Sequence, residues 1–157
     1  MPTIQLKAMT RKLCHELYKH WANDASIYMD MHLFQPYVYD EAAVNRYFDM
    51  KGQDASRRLF AIMLGDKVIG ELQLKQIDHD KKECSLSIHM QNDAVKGRGY
   101  GTQAERLAVK TAFDELGMAA VNADTIRKNT RSQHVLEKVG FRFAGEDETF
   151  QYYRIER

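Results

Sequence analysis

The spacing of apolar positions changes several times along this chain, and the changes mark its elements. Thr10 is placed to cap a helix that brings Leu13, Leu17 and Trp21 onto one face. Residues 24–39 show no clear period and read as a short helix and a loop. Asp40 is placed to cap a second helix with Val44, Tyr47 and Phe48 inward. The period then falls to two. LFAIML (59–64) reads as a strand, Gly65-Asp66 as a tight turn and VIGELQL (68–74) as a second strand. DHDKK (78–82) turns the chain into a third strand, ECSLSIHM (83–90), with Cys84, Leu86 and Ile88 on one side. This is an antiparallel meander. A helix over about 102–116, with Leu107, Ala108, Ala112 and Leu116 inward, is stopped by Gly117. A buried strand (119–126) and a helix (130–139) follow, the helix with Val135, Leu136 and Val139 inward and Gly140 as its cap. Strands near 141–145 and 150–156 end the chain. The order ααβββαβαββ, without repeat or linker, predicts one α/β domain over 1–157 built on a mixed sheet.

Composition narrows the class without naming a function. The 157 residues are 44% hydrophobic, enough for a core, and the formal net charge is +1. No basic run is long enough to suggest nucleic acid. No long apolar run suggests a signal peptide or membrane span, so a cytoplasmic protein is expected. Cys14 and Cys84 then read as reduced thiols.

The most informative stretch is NDAVKGRGYGTQAERL, where Gly97, Gly99 and Gly101 alternate just ahead of a helix. Glycine there lowers stability, so something should need the bare backbone. A helix N-terminus exposes about four unpaired N–H groups and a partial positive charge. Glycines let those groups converge on an anion with no Cβ in the way. With Lys96, Arg98 and Thr102 beside them, residues 96–102 read as a phosphate or diphosphate cradle. No Walker A string is present. Gly99-x-Gly101-x-x-Ala104, with Asp124 about 20 residues on, matches a dinucleotide fingerprint, which keeps an NAD(P)-binding oxidoreductase as an alternative. Six residues between strand and glycines, and too few βαβ units, count against it. HELYKH (15–20) is not a metal motif: His15 and His20 diverge by roughly 140° around a helix, so no metal is expected there.

Lys96-Gly97-Arg98-Gly99-Tyr100-Gly101 resembles the acetyl-CoA signature Q/R-x-x-G-x-G/A of the GNAT superfamily of N-acetyltransferases, with Lys96 where Gln or Arg is usual. Asn129-Thr130-Arg131-Ser132, leading into Glu137-Lys138-Val139-Gly140-Phe141, is similar to the family's N-x-x-[SA]…E-K-x-G-F segment. The resemblance extends over nearly the whole chain. It implies a mostly antiparallel central sheet with splayed middle strands and flanking helices. It also implies acetyl-CoA as co-substrate: Ile88, His89 and Met90 facing pantetheine, the N–H groups of Arg98 to Thr102 on the diphosphate, and Asn129 at the pantetheine end.

The reaction so implied is direct transfer of acetyl from a thioester to a primary amine. The amine must lose a proton and the leaving thiolate must gain one. Many members place a tyrosine in the last helix for the second task; here that position is Leu136. Ser132 takes the role, as the resemblance to the branch that acetylates ribosomal-protein N-termini implies. For the base, Asp124 is favoured, with Glu83, His89, Glu146 and Glu148 as alternatives. Trp21, Asp24, Tyr28, Met29, Asp30, Met31, Phe34, Tyr37 and Tyr39 are candidates for the acceptor pocket, where acids would attract a cationic amine and aromatics its stem. The acceptor is a protein N-terminus or a small amine such as an aminoglycoside or polyamine, and the protein a monomer or homodimer. An acetyl-CoA-binding module with weak activity is the remaining alternative.

Overall fold

Residues 3–23 and 34–157 are described by a computed structural model. Asp24, Tyr28, Met29, Asp30 and Met31 lie outside the described residues. The elements are β1 (Ile4–Ala8), α1 (Arg11–Lys19), α2 (Glu41–Gly52), β2 (Arg58–Leu64), β3 (Lys67–Asp78), β4 (Glu83–Met90), α3 (Tyr100–Asp114), β5 (Ala120–Ile126), α4 (Thr130–Val139), β6 (Arg142–Glu146) and β7 (Phe150–Glu156). All seven strands join one open sheet in the order β1-β2-β3-β4-β5-β7-β6. Every pairing is antiparallel except β4–β5.

The caps read from the sequence are in place. Thr10 accepts from Leu13 N–H, Asp40 from Ala42 and Ala43 N–H, and Gly140 ends α4 at φ +116°. β1 is the addition. It pairs with β2 from Ile4–Leu64 to Ala8–Phe60, and Ile4 N–H donates to Gln103 on α3. Only three apolar positions alternate in those five residues, so the strand is made by its partner rather than by its own pattern.

The sheet separates two cores. Met9, Cys14, Leu17, Val44, Ala61, Met63 and Val68 fill the side covered by α1 and α2. The other side packs Ile62, Leu72, Leu74, Leu86 and Val121 against Ala104, Ala108 and Ala112 of α3 and Leu136 of α4. The small side chains of α3 bring its backbone close to the sheet. Leu107, expected inward, is 37% exposed. The inward stripe starts at Tyr100 and runs through Ala104, Glu105, Ala108, Val109 and Ala112, with Leu107 at its rim.

Candidate active site

The parallel pair β4–β5 is joined only at one end. Glu83, Cys84 and Ser85 face Ala120, Val121 and Asn122; beyond them β4 runs to Met90 and β5 to Ile126 without pairing. Each strand keeps its other neighbour, β3 for β4 and β7 for β5, so the gap is a stable opening in the sheet. A cleft of about 960 Å³ passes through it. Tyr47, Glu71 and His89 line it from the α1–α2 side, and Gly101, Glu105 and Ser132 from the α3–α4 side. A second cavity of about 450 Å³ continues past Gly97, Gly99, Gly101 and Thr102 toward Arg131 and His134.

At the second cavity the glycines stand at the start of α3. Gly97 (φ +72°) and Gly99 (φ +81°) take left-handed conformations that branched residues resist. Gly99 is the N-cap of α3 and brings no side-chain acceptor, so the first turn's N–H groups have no side-chain cap. A Cβ at Gly101 would meet nothing within 4 Å. Lys96 lines both cavities and pairs with Asp93 at 3.3 Å. The Arg98 side chain instead turns to the Ala94 carbonyl (3.0 Å), bracing the loop, and the Tyr100 ring is buried in the core. Only the backbone of these two residues is offered to an anion. Bare donors, open space and a cation fit a diphosphate. A 3-10 turn at Asp93–Val95 separates β4 from the glycines, unlike a dinucleotide fingerprint, which follows its strand directly.

The opposite mouth holds a polar network that the sequence did not single out. Glu71, on β3, is 2% exposed. The Tyr47 hydroxyl lies 2.7 and 2.8 Å from its two oxygens, and Gln73 Nε2 donates to both Tyr47 and Glu71 at 3.2 Å. Arg57 donates to Gln73 Oε1 and so holds that amide with its nitrogen inward. Burial and the Glu71 charge push the Tyr47 hydroxyl far above the ordinary tyrosine range, so it stays protonated. Tyr18 packs on Trp21 (4.9 Å between ring centroids) and on Tyr47 (5.6 Å). Trp21 and Tyr37, both acceptor candidates, line the same mouth. Tyr39 does not; its hydroxyl is 2.6 Å from His15 Nδ1, while His15 Nε2 bonds Asn45, so HELYKH stitches α1 to α2. Among the described residues no group of three or more His, Cys, Asp or Glu is placed to hold a metal.

Ile88, His89 and Met90 line the cleft at the splayed end of β4. His89 opens into it, yet atoms crowded round the ring lower its pKa below the usual 6.5; Glu71 opposes that shift and Lys75 and Lys96 reinforce it. Asn129 caps α4, its Oδ1 accepting from Ser132 N–H at 3.2 Å, and both residues line the cleft. Leu136, by contrast, is buried in the core and offers no proton. Asp124 is exposed on β5 opposite Tyr152 and lines neither cavity. Ala123 and Thr125 take the buried face, and Asp124 shares the other face of β5 with Asn122. Glu83 is held by Arg154 and Asn122 at the closed end of the β4–β5 pair, which lowers its pKa. Glu146 pairs with Arg127, and Glu148 is exposed.

Glu105 is the other residue the sequence reading passed over. It is 1% exposed, its Oε2 has no hydrogen-bond partner among the described residues, and burial raises its pKa to about 8. The signal was present: Glu105 follows Gly101 by four and precedes Ala108 by three, which places it on the inward face.

Residues 4–142 match the family model of the acetyltransferase (GNAT) domain. The chain belongs to the GNAT acetyltransferase family. Among curated GNAT relatives, a probable N-acetyltransferase, YjcK of Bacillus subtilis, is 35% identical over 80 residues, covering 51% of this chain and 44% of that protein. The spermidine N(1)-acetyltransferase of Escherichia coli is 25% identical over 99 residues, 63% of this chain and 53% of that protein. The chain thus spans about half the length of the curated relatives it matches. Two solved structures share the fold. The spermidine N-acetyltransferase of Vibrio cholerae in complex with CoA and spermine has a TM-score of 0.80 at 17% identity, covering 98% of this chain and 95% of that one. Campylobacter jejuni N-acetyltransferase PseH has a TM-score of 0.74 at 18% identity, covering 99% of both chains. None of these relatives bears the name of a ribosomal-protein acetyltransferase. No helix among the described residues is long and apolar enough to cross a membrane.

Proposed function

We propose that this chain is an acetyl-CoA-dependent N-acetyltransferase acting on a primary amine. One observation carries the reading: a single cleft runs through the sheet at the β4–β5 gap, joining an uncapped helix N-terminus on one side to an aromatic pocket with a buried carboxylate on the other. The coenzyme would supply an activated acyl thioester. Main-chain N–H groups of residues 98–102 hold its diphosphate, with Lys96 beside them. The free edge of β4 at Ile88–Met90 pairs with the pantetheine arm as an added strand would. Asn129 spends its Oδ1 on the α4 cap and keeps its amide nitrogen for that arm. The acceptor enters between Trp21, Tyr37 and Tyr47. His89 takes its proton, because crowding keeps the imidazole neutral near pH 7 and it stands at the gap itself. His89 is preferred here to Asp124, which is exposed on β5 and lines neither cavity. Ser132 stays at the thioester end as a hydroxyl donor.

The spermidine acetyltransferases among the relatives make polyamines a second acceptor reading. Against it, the cleft's described lining carries two carboxyl groups, Glu71 and the protonated Glu105, beside the cations Lys51, Arg57, Lys75, Lys96, Lys128 and Arg131. A tri- or tetracation prefers the reverse balance. An acceptor with one reactive amine, a protein N-terminus or a small amine, suits this wall better. The test is thiol release from acetyl-CoA with N-terminal peptides, aminoglycosides and polyamines. Release with a mono-amine acceptor is expected. Stabilisation by NAD or NADP, with no thiol release from any amine, would overturn the assignment.

A further inference from the structure

Glu105 is a buried carboxyl with one oxygen unpartnered among the described residues, on a helix face otherwise made of Tyr, Ala and Val. Burying such a group lowers folding stability, and alanine at that position would avoid the loss. No described residue hydrogen-bonds its Oε2. It lines the through-sheet cleft one helical turn beyond Gly101, on the same side as Ser132 and Val135. This is the side from which the proposed coenzyme arm reaches the gap, opposite the face that carries Glu71 and His89. The other proton sources at that side are poor. Leu136 is apolar, and the hydroxyl of Ser132 is a far weaker acid than a thiol. The buried thiols of Cys14 and Cys84 are pushed up to about 12 and about 11 and lie outside both cavities.

Resting on the function proposed above, we propose that Glu105 is the acid of the transfer, donating its proton directly to the departing sulfur. The amine first loses a proton to solvent through His89. Its nitrogen then bonds to the thioester carbon and the C–S bond breaks, leaving the electron pair on sulfur. The carboxyl proton of Glu105 goes to that sulfur, and His89 removes the second proton from nitrogen. Glu105 regains a proton from solvent once the thiol has left. The net change is one ammonium converted to an amide, one thioester to a thiol, and one proton released.

The carboxyl is suited to the task because it stays protonated at neutral pH, with a pKa of about 8 that lies close to that of a thiol, about 8.5. Charged or titratable groups reach the same cleft from every side: Glu71 from β3, His89 from β4, Lys96 from the loop before α3 and Arg131 from α4. None of them contributes to the shift of Glu105, which burial alone causes.

The experiment compares wild type with Glu105→Gln from pH 6 to 9, using acetyl-CoA and an amine the wild type acetylates. In wild type kcat should fall on an alkaline limb near pH 8. In the variant that limb should vanish, and kcat at pH 7 should drop about 10²-fold. The Kd for coenzyme A should change less than threefold, which a merely structural role would not predict. The selenoester analogue of acetyl-CoA, whose selenolate leaves without a proton, should restore most of the lost rate. A folded variant with unchanged kcat and an intact alkaline limb overturns the proposal while leaving the acetyltransferase reading standing. Absence of thiol release by the wild type itself would remove both. If the variant does not fold, the selenoester decides on wild type alone: persistence of the alkaline limb with that donor overturns the role of Glu105.

Discussion

Glu71 and His89 stand directly opposite one another on β3 and β4, both on the cleft face of the sheet. The pair sets the charge state of the imidazole: crowding favours the neutral form and the carboxylate favours the protonated one. Since crowding prevails, the acid limb of kcat/KM should lie below the ordinary histidine pKa of 6.5. His89→Gln should lower kcat roughly 10²–10⁴-fold and abolish that limb. Glu71→Gln removes the charge that supports the imidazolium, so its acid limb should move further down in pH. A pH–rate profile of the three proteins checks both signs, and an upward move in the Glu71 variant would place the carboxylate outside the reach of His89.

The anion cradle makes a separate prediction. Because a Cβ at Gly101 meets nothing within 4 Å and its φ is not left-handed, Gly101→Val should fold with little loss. The new methyl groups project into the space that the coenzyme's diphosphate would occupy. Calorimetry should therefore show coenzyme A affinity reduced at least tenfold beside a thermal midpoint within a few degrees of wild type. Normal affinity would move the diphosphate site elsewhere.

Much of this architecture was legible because local signals agreed with the global fold. The Thr10, Asp40 and Gly140 caps and the meander follow from patterns a few residues long. The misses share a different cause: each depends on what the chain meets far along the sequence. β1 is too short to declare itself and is ordered by β2. Glu71 and Gln73 sit at the polar positions of VIGELQL, where alternation implies solvent; instead α2 covers them, and Tyr47 and Arg57 satisfy them. Leu107 lies about 100° round the helix from Ala108, at the rim of the stripe that α3 buries, so it stays partly exposed.

Gly70 tests how tightly the splayed end is held. It pairs with Met90 on β4, and a Cβ there would stand 2.9 Å from the His89 carbonyl oxygen and 3.0 Å from Ile62 Cδ1. The neighbour at 2.9 Å is backbone and cannot swing aside. Gly70→Ala should cost about 1–3 kcal/mol and several degrees in Tm. It should also lower kcat more than the stability loss explains, because relief of the contact displaces His89. A thermal midpoint and kcat both within error of wild type would show that β4 has slack at this point.

Glu105 links stability to pH with a sign opposite to that of a salt-bridged carboxylate. Its folded pKa of about 8 exceeds the reference value of 4.5. Between those pH values the folded state binds more protons than the unfolded one, so stability must fall as pH rises through the window and level off above about 8. Glutamine keeps the shape and removes the titration. Glu105→Gln should thus match wild type near pH 4 and exceed it near pH 8 by an amount on the order of a few kcal/mol, read as a higher Tm in the alkaline scan. A variant that gains stability while losing turnover is the signature of a buried acid retained for chemistry rather than for packing. Equal pH-dependence of Tm in the two proteins would instead mean that the carboxyl ionises as freely in the fold as in the unfolded chain.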